Sequence, residues 1–138
     1  LENMPLNKLV VDYTLVTHLG VVQTLPLMYL TFGSTKVEDA TPLPGLALTH
    51  LAMTDTAVCD LSPLKGMPLR FLRIENTRVT DISPVADMPL GGLLFTPRNI
   101  AKGLDTLRAN THKVLGPDEK EQLPLAEFWK KYDAGKFR

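Results

Sequence analysis

The stretch Met67-Pro68-Leu69-Arg70-Phe71-Leu72-Arg73-Ile74-Glu75-Asn76-Thr77-Arg78-Val79-Thr80-Asp81-Ile82-Ser83-Pro84-Val85 recurs along most of the chain. A displacement of 21 residues toward the N-terminus finds Leu46, Leu48, Leu51, Met53, Thr56, Val58, Asp60, Leu61, Ser62, Pro63 and Leu64 in the same places. A second displacement finds Leu25, Leu27, Leu30, Phe32, Thr35, Val37, Asp39, Thr41, Pro42 and Leu43, and a third finds Met4, Leu6, Leu9, Val11, Thr14 and Val16. Toward the C-terminus Met88, Pro89, Leu90, Leu93 and Phe95 repeat the start of the unit, after which the pattern stops. One such unit is too small to bury its own apolar face, whereas several in series cover one another, so a fixed period without insertions predicts a stack of repeats. Five units begin near residues 4, 25, 46, 67 and 88.

Within a unit, Leu30 and Phe32 are two apart, as side chains on one face of a strand must be. Each unit therefore contributes one short strand. All strands enter their units in the same sense, which makes neighbours parallel. The later motif Asp60-Leu61-Ser62-Pro63-Leu64 is in register with Asp39-Ala40-Thr41-Pro42-Leu43 and Asp81-Ile82-Ser83-Pro84-Val85. Ser or Thr before Pro predicts a helix start, with the hydroxyl as cap and Pro at the first helical position. Only about six residues remain before the next strand, enough for a single 3₁₀ turn. The first unit, with His18-Leu19-Gly20-Val21-Val22, lacks both the Asp and the Pro, and a different shape is expected there.

The pattern Leu-x-x-Leu-x-apolar-x-x-Thr-x-Val resembles the leucine-rich repeat family in its short bacterial form, over roughly residues 4 to 96. The resemblance implies an inward Asn at the ninth position, bonded to backbone of the adjoining loop. Here Thr14, Thr35, Thr56 and Thr77 occupy that position, so a ladder of threonine hydroxyls is expected instead. A buried hydroxyl left without a partner costs about 1–3 kcal/mol.

From Pro97 the period is lost. Ile100, Leu104 and Leu107 lie on one face of a predicted helix over 99–108, a candidate cap for the last repeat. A polar loop from Gly116 to Gln122 precedes a second helical pattern over 123–132, with Leu125, Phe128, Trp129 and Tyr132 on one face. Trp129 is read as an anchor of the cap. A Met-Pro-Leu-punctuated array ending in Ala126-Glu127-Phe128-Trp129 is similar to repeat regions of planctomycete-type bacterial multidomain proteins. That resemblance implies an association with protein-kinase or other signalling domains, of which this chain contains none. The fold class expected is an α/β solenoid: a leucine-rich repeat with a five-stranded parallel sheet, short 3₁₀ turns on the convex side and a helical C-terminal cap. Residues 1–96 form the repeats and 97–138 the cap. The expected core comprises Leu6, Leu9, Leu27, Leu30, Leu48, Leu51, Leu69, Leu72, Leu90 and Leu93.

With 138 residues, 44% of them apolar, the chain suits one domain. Fifteen basic and fifteen acidic residues balance, which gives no electrostatic reason for a nucleic-acid or anionic-membrane partner. The division along the chain is uneven, with 6 Lys/Arg and 9 Asp/Glu in residues 1–96 and 9 and 6 in residues 97–138. No apolar run reaches the roughly 18 residues of a membrane span. The single cysteine, Cys59, excludes a disulfide framework. His18, His50 and His112 fall in different structural settings, and no Ser or Cys sits in a nucleophile elbow. Gly91-Gly92 lacks the spacing and the trailing Lys of a phosphate loop. No enzymatic activity, cofactor or metal is expected. Because Leu1-Glu2-Asn3 leads directly into a repeat, the chain reads as a piece of a longer protein.

Residues between the core leucines alternate onto the other sheet face. One column there reads Lys8, Tyr29, His50, Phe71, Gly92; the next Val10, Thr31, Ala52, Arg73, Leu94; the third Asp12, Gly33, Thr54, Glu75, Thr96. Exposed aromatic residues near Arg are the composition of protein-binding hot spots, although cross-strand aromatic pairs also stabilise a sheet by about 0.2–1 kcal/mol. The candidate partner-binding residues are Lys8, Tyr29, His50, Phe71, Arg73 and Glu75. The expected function is a non-catalytic protein-interaction module that receives a protein or peptide on its concave face. The alternatives are an assembly element that pairs as a homo-oligomer through its N-terminal repeat edge, and a regulatory segment of a larger signalling enzyme.

Overall fold

The computed structural model describes residues 6–109, 114–118 and 120–137. Seven strands form one sheet in chain order: β1 (Lys8–Val10), β2 (Tyr29–Thr31), β3 (His50–Ala52), β4 (Phe71–Arg73), β5 (Gly92–Leu94), β6 (Val114–Gly116) and β7 (Leu123–Pro124). Neighbours are parallel except β6 and β7, which are antiparallel. The helices are α1 (Ser83–Ala86), α2 (Leu104–Ala109) and α3 (Leu125–Asp133), with 3₁₀ segments at Gly20–Thr24, Ser62–Leu64 and Pro97–Asn99.

The 21-residue period is the register of the sheet: Lys8 lies opposite Tyr29, then His50, Phe71 and Gly92. The same bonds recur at each step. The N–H groups of Met28, Thr49, Arg70 and Gly91 donate to the carbonyls of Asn7, Met28, Thr49 and Arg70 at 2.6–2.8 Å. Inward residues stack in matching columns. Leu30, Leu51, Leu72 and Leu93 form one, and Phe32, Met53, Ile74 and Phe95 another; all are buried. The turns opposite the sheet close the core with Leu43, Leu64 and Val85.

The Thr column satisfies its hydroxyls as expected. Thr14, Thr35, Thr56 and Thr77 each donate to the carbonyl three residues earlier, at 2.6–2.9 Å. The turn caps differ from expectation. Thr41, Ser62 and Ser83 do not cap with their hydroxyls; instead their N–H groups donate to the carboxylates of Asp39, Asp60 and Asp81 at 2.8–2.9 Å. An Asx turn fixes the loop two residues ahead of it and leaves Pro its place in the turn. Bonds from the residue two ahead hold all three carboxyls below the usual Asp range, the backbone N–H leading at Asp39 and Asp60 and the Ser83 side chain at Asp81. The turn itself is 3₁₀ at Ser62–Leu64 but a single α turn at Ser83–Ala86. The first unit carries a longer 3₁₀ segment, Gly20–Thr24.

The repeat ends for a backbone reason. After each strand the chain turns through a left-handed residue: Tyr13, Ser34, Asp55 and Asn76, with φ between 53° and 60°. The N–H groups of Tyr13, Ser34 and Asp55 donate to the carbonyl of the next unit at 2.8–3.0 Å, while that of Asn76 donates to the Thr96 hydroxyl at 2.8 Å. The next position in this series is Pro97, whose ring holds φ near −65° and forbids the turn. The chain enters the Pro97–Asn99 3₁₀ segment instead.

Three expectations are corrected here. The sheet has seven strands, because residues 114–116 and 123–124, read as loop and helix start, extend it. β6 is set 22 rather than 21 residues after β5, which hid it from the period. The helix expected over 99–108 begins only at Leu104. Gly103 precedes it at φ 97°, packed so closely that a Cβ there would lie 2.6 Å from the Ser83 backbone nitrogen. Leu6 is 45% exposed rather than core, and Leu9 is only partly buried, because β1 is the sheet's edge and no described strand covers its outer side. The expected start of the first unit at Met4 lies outside the described residues. The other eight core leucines are buried.

β6 and α3 close the opposite end. Leu115 and Phe128 are fully buried, and Phe128 touches the rings of Phe95, Trp129, Tyr132 and Phe137 at centroid distances of 5.0–6.4 Å. Trp129 is buried with them, under the Arg108 guanidinium at 4.4 Å. Arg108 forms a bidentate pair with Asp133, whose hydrogen bonds hold the Asp133 carboxyl below its usual range.

Candidate functional site

Each three-residue strand directs its first and third side chains away from the core, so the outward face is narrow; on it Thr31, Gly92 and Leu94 are themselves buried. Tyr29 and His50 stack with ring centroids 5.6 Å apart and an interplanar angle of 24°, and His50 and Phe71 follow at 6.3 Å and 31°. Lys8 extends the row, with Nζ 4.6 Å from the Tyr29 centroid. At the other end the Phe71 ring lies over Gly92, where a Cβ would come within 2.6 Å of it. Gly92 is thus the residue that lets Phe71 lie down, a use of glycine as a seat for a neighbouring ring. His50 is exposed and its Nδ1 lies 3.0 Å from the Thr49 hydroxyl.

Beside the row lies a groove of about 700 Å³. Its floor is made of Thr31, Gly33, Ala52 and Thr54, small residues from β2, β3 and the turns after them. Tyr29, His50 and Phe71 form one wall, and Asp12, Tyr13, Ser34 and Asp55 form the other, with Val10 and Arg73 at the ends. A Cβ on Gly33 would lie 3.1 Å from the Thr54 carbonyl oxygen and 3.3 Å from the Asp12 carboxylate, so glycine keeps both the floor and the approach of Asp12.

Of the six sequence-derived candidates, Lys8, Tyr29, His50 and Phe71 share one column and Arg73 sits in the next. Glu75 is placed differently: at 3% exposure it is buried and presents no surface. Its Oε1 accepts from Nε and Nη2 of Arg73 at 3.1 and 2.9 Å, and its Oε2 accepts from the Thr54 hydroxyl at 3.1 Å. Fork geometry of this kind fixes a guanidinium, so Glu75 orients Arg73 along the end of the groove. Sequence reasoning missed Tyr13, Ser34 and Asp55, which belong to the left-handed turn column. Their signal was available: three residues 21 apart, one place beyond the third outward column, each carrying a hydroxyl or carboxylate.

Among the described residues no three His, Cys, Asp or Glu side chains converge as a metal ion requires. Cys59 is an exposed free thiol, and His112 lies outside the described residues. No described helix is long and apolar enough to cross a membrane.

The fold and face together define a parallel sheet built one strand per 21-residue unit, with a ring-walled groove on its outward side. No protein-family model matches the chain, and the search of curated proteins finds no match either.

Proposed function

We propose that this chain is a leucine-rich repeat solenoid that acts as a non-catalytic interaction module, receiving a protein or peptide on its outward, concave sheet face. The observation that supports this is the row Lys8, Tyr29, His50 and Phe71 standing along the 700 Å³ groove. Rings held at fixed spacing lose little entropy on binding and offer large contact areas, which is why Tyr and Arg concentrate binding energy at interfaces. A Tyr29→Ala, Phe71→Ala double variant is expected to keep its fold, since both rings lie outside the core cluster. It should bind at least about tenfold more weakly, corresponding to roughly 1.4 kcal/mol or more. The measurement is mass spectrometry of proteins retained from a cell lysate by immobilised wild type and variant. Identical retention by both rejects the outward face as the binding surface.

A second reading has its own observation. Among the described residues, the large apolar ones most exposed, Leu6, Val10, Tyr13, Leu15, Val21 and Met28, all belong to the first unit or its junction with the second. β1 is also an edge strand, whose free N–H and C=O groups can pair with another strand. This supports an assembly element that pairs with a second copy through its N-terminal edge. Light scattering across a concentration series should then give a dimer that Leu9→Glu converts into a folded monomer. A monomer mass throughout rejects the assembly reading.

A further inference from the structure

The groove is one-sided in charge. Asp12 and Asp55 stand on the wall opposite the rings, and Arg73, the cation lining the groove, is forked onto buried Glu75. Neither Asp12 nor Asp55 takes part in any salt bridge between described residues. Both are held in place all the same. Asp12 accepts from the Gly33 N–H at 2.6 Å and the Thr31 hydroxyl at 3.0 Å; Asp55 accepts from the Asn76 side-chain amide at 3.0 Å and the Ser34 hydroxyl at 3.4 Å. Each carboxylate oxygen thereby keeps acceptor capacity for a further donor.

We propose that the groove takes the basic side chains, arginine or lysine, of a peptide segment; this deepens the interaction reading above and rests on it. The chemistry of the two walls selects such a side chain. Its methylene stem lies against the aromatic row, and its cationic tip reaches the carboxylates across a floor of Gly33 and Ala52 that leaves room for it. A neutral apolar side chain in the same place strips water from two carboxylates without replacing it, and an acidic one adds repulsion. Asp12 and Asp55 come from units two apart, roughly 10 Å at about 4.8 Å per strand. A peptide in the polyproline II conformation, with three residues per turn at about 3.1 Å each, sets residues i and i+3 on one face about 9 Å apart, so a segment with two basic residues at that spacing engages both carboxylates.

The test uses a fluorescein-labelled hexapeptide amide with two arginines three residues apart, alongside peptides with glutamine or glutamate in their place. Fluorescence anisotropy is followed with wild type and with an Asp12→Asn, Asp55→Asn variant. Asparagine retains an oxygen for the Gly33 N–H and suits the left-handed backbone at residue 55, so the variant keeps its fold, verified by circular dichroism. The expected result is saturable binding of the arginine peptide that falls at least tenfold in the variant and weakens with added salt, with no binding of the glutamate peptide. Equal binding of the arginine and glutamine peptides, equal binding by wild type and variant, or no binding by wild type overturns the inference. If a protein partner is lost by the Tyr29→Ala, Phe71→Ala variant but kept in full by the Asn variant, the basic-ligand inference alone fails and the interaction face stands.

Discussion

Phe128→Ala is expected to destabilise the chain by about 3–5 kcal/mol, the range for removing a fully buried ring from a packed core. Phe128 is the hub of the C-terminal end: it meets Phe95 of the last repeat and Trp129, Tyr132 and Phe137 of the terminal segment. Its loss leaves a cavity bounded by those four rings, at the seam between α3 and the end of the last repeat. Trp129 is the chain's single tryptophan and lies in contact with Phe128, with centroids 5.0 Å apart. Urea unfolding followed by its fluorescence therefore reads this end directly. A fluorescence midpoint unchanged from wild type would show that Phe128 is not the hub.

Leu51→Ala is expected to cost about 2–5 kcal/mol. Leu51 is 1% exposed in β3, the middle of the repeat strands, with Leu30 and Leu72 as its register partners on either side. A cavity there weakens the contact of the third unit with both neighbours. In a stack of repeats stability is carried by such nearest-neighbour contacts, so the far-ultraviolet circular dichroism signal of the sheet should melt earlier. The Trp129 fluorescence, two units away, should shift by the same amount if sheet and terminal segment unfold together. A variant that unfolds no earlier than wild type would mean that the register is wrong. The same core cluster contains Leu51, Phe95, Leu115 and Phe128, which is why a common transition is expected.

The outward groove was half legible in the sequence. Lys8, Tyr29, His50, Phe71 and Arg73 follow from alternation and period alone, because a side chain between two core leucines has nowhere else to point. Glu75 follows the same alternation and yet is buried. Its position depends on Thr54 and Arg73 reaching over it, contacts between units and within the strand end that a one-dimensional pattern does not encode. The turn-column wall, with Tyr13, Ser34 and Asp55, depends on a left-handed backbone taken by residues other than glycine. Asp55 and Asn76 are residue types that tolerate that conformation, but Tyr13 and Ser34 in the same column do not announce it.

The sequence by itself determined the repeat, its parallel register, eight of the ten expected core leucines and the threonine column, because each follows from a constraint that acts locally and recurs every 21 residues. It also contained the stop: Pro97 occupies the place of a left-handed turn that proline cannot adopt. Only the tertiary structure decided how the two ends of the sheet are treated. Whether Leu6 and Leu9 are covered depends on what lies beside β1, and whether Val114–Gly116 is a strand depends on β5 presenting a free edge to it. A strand of three residues makes too few contacts of its own to be specified by its sequence; it forms because a neighbour in the correct register is already there.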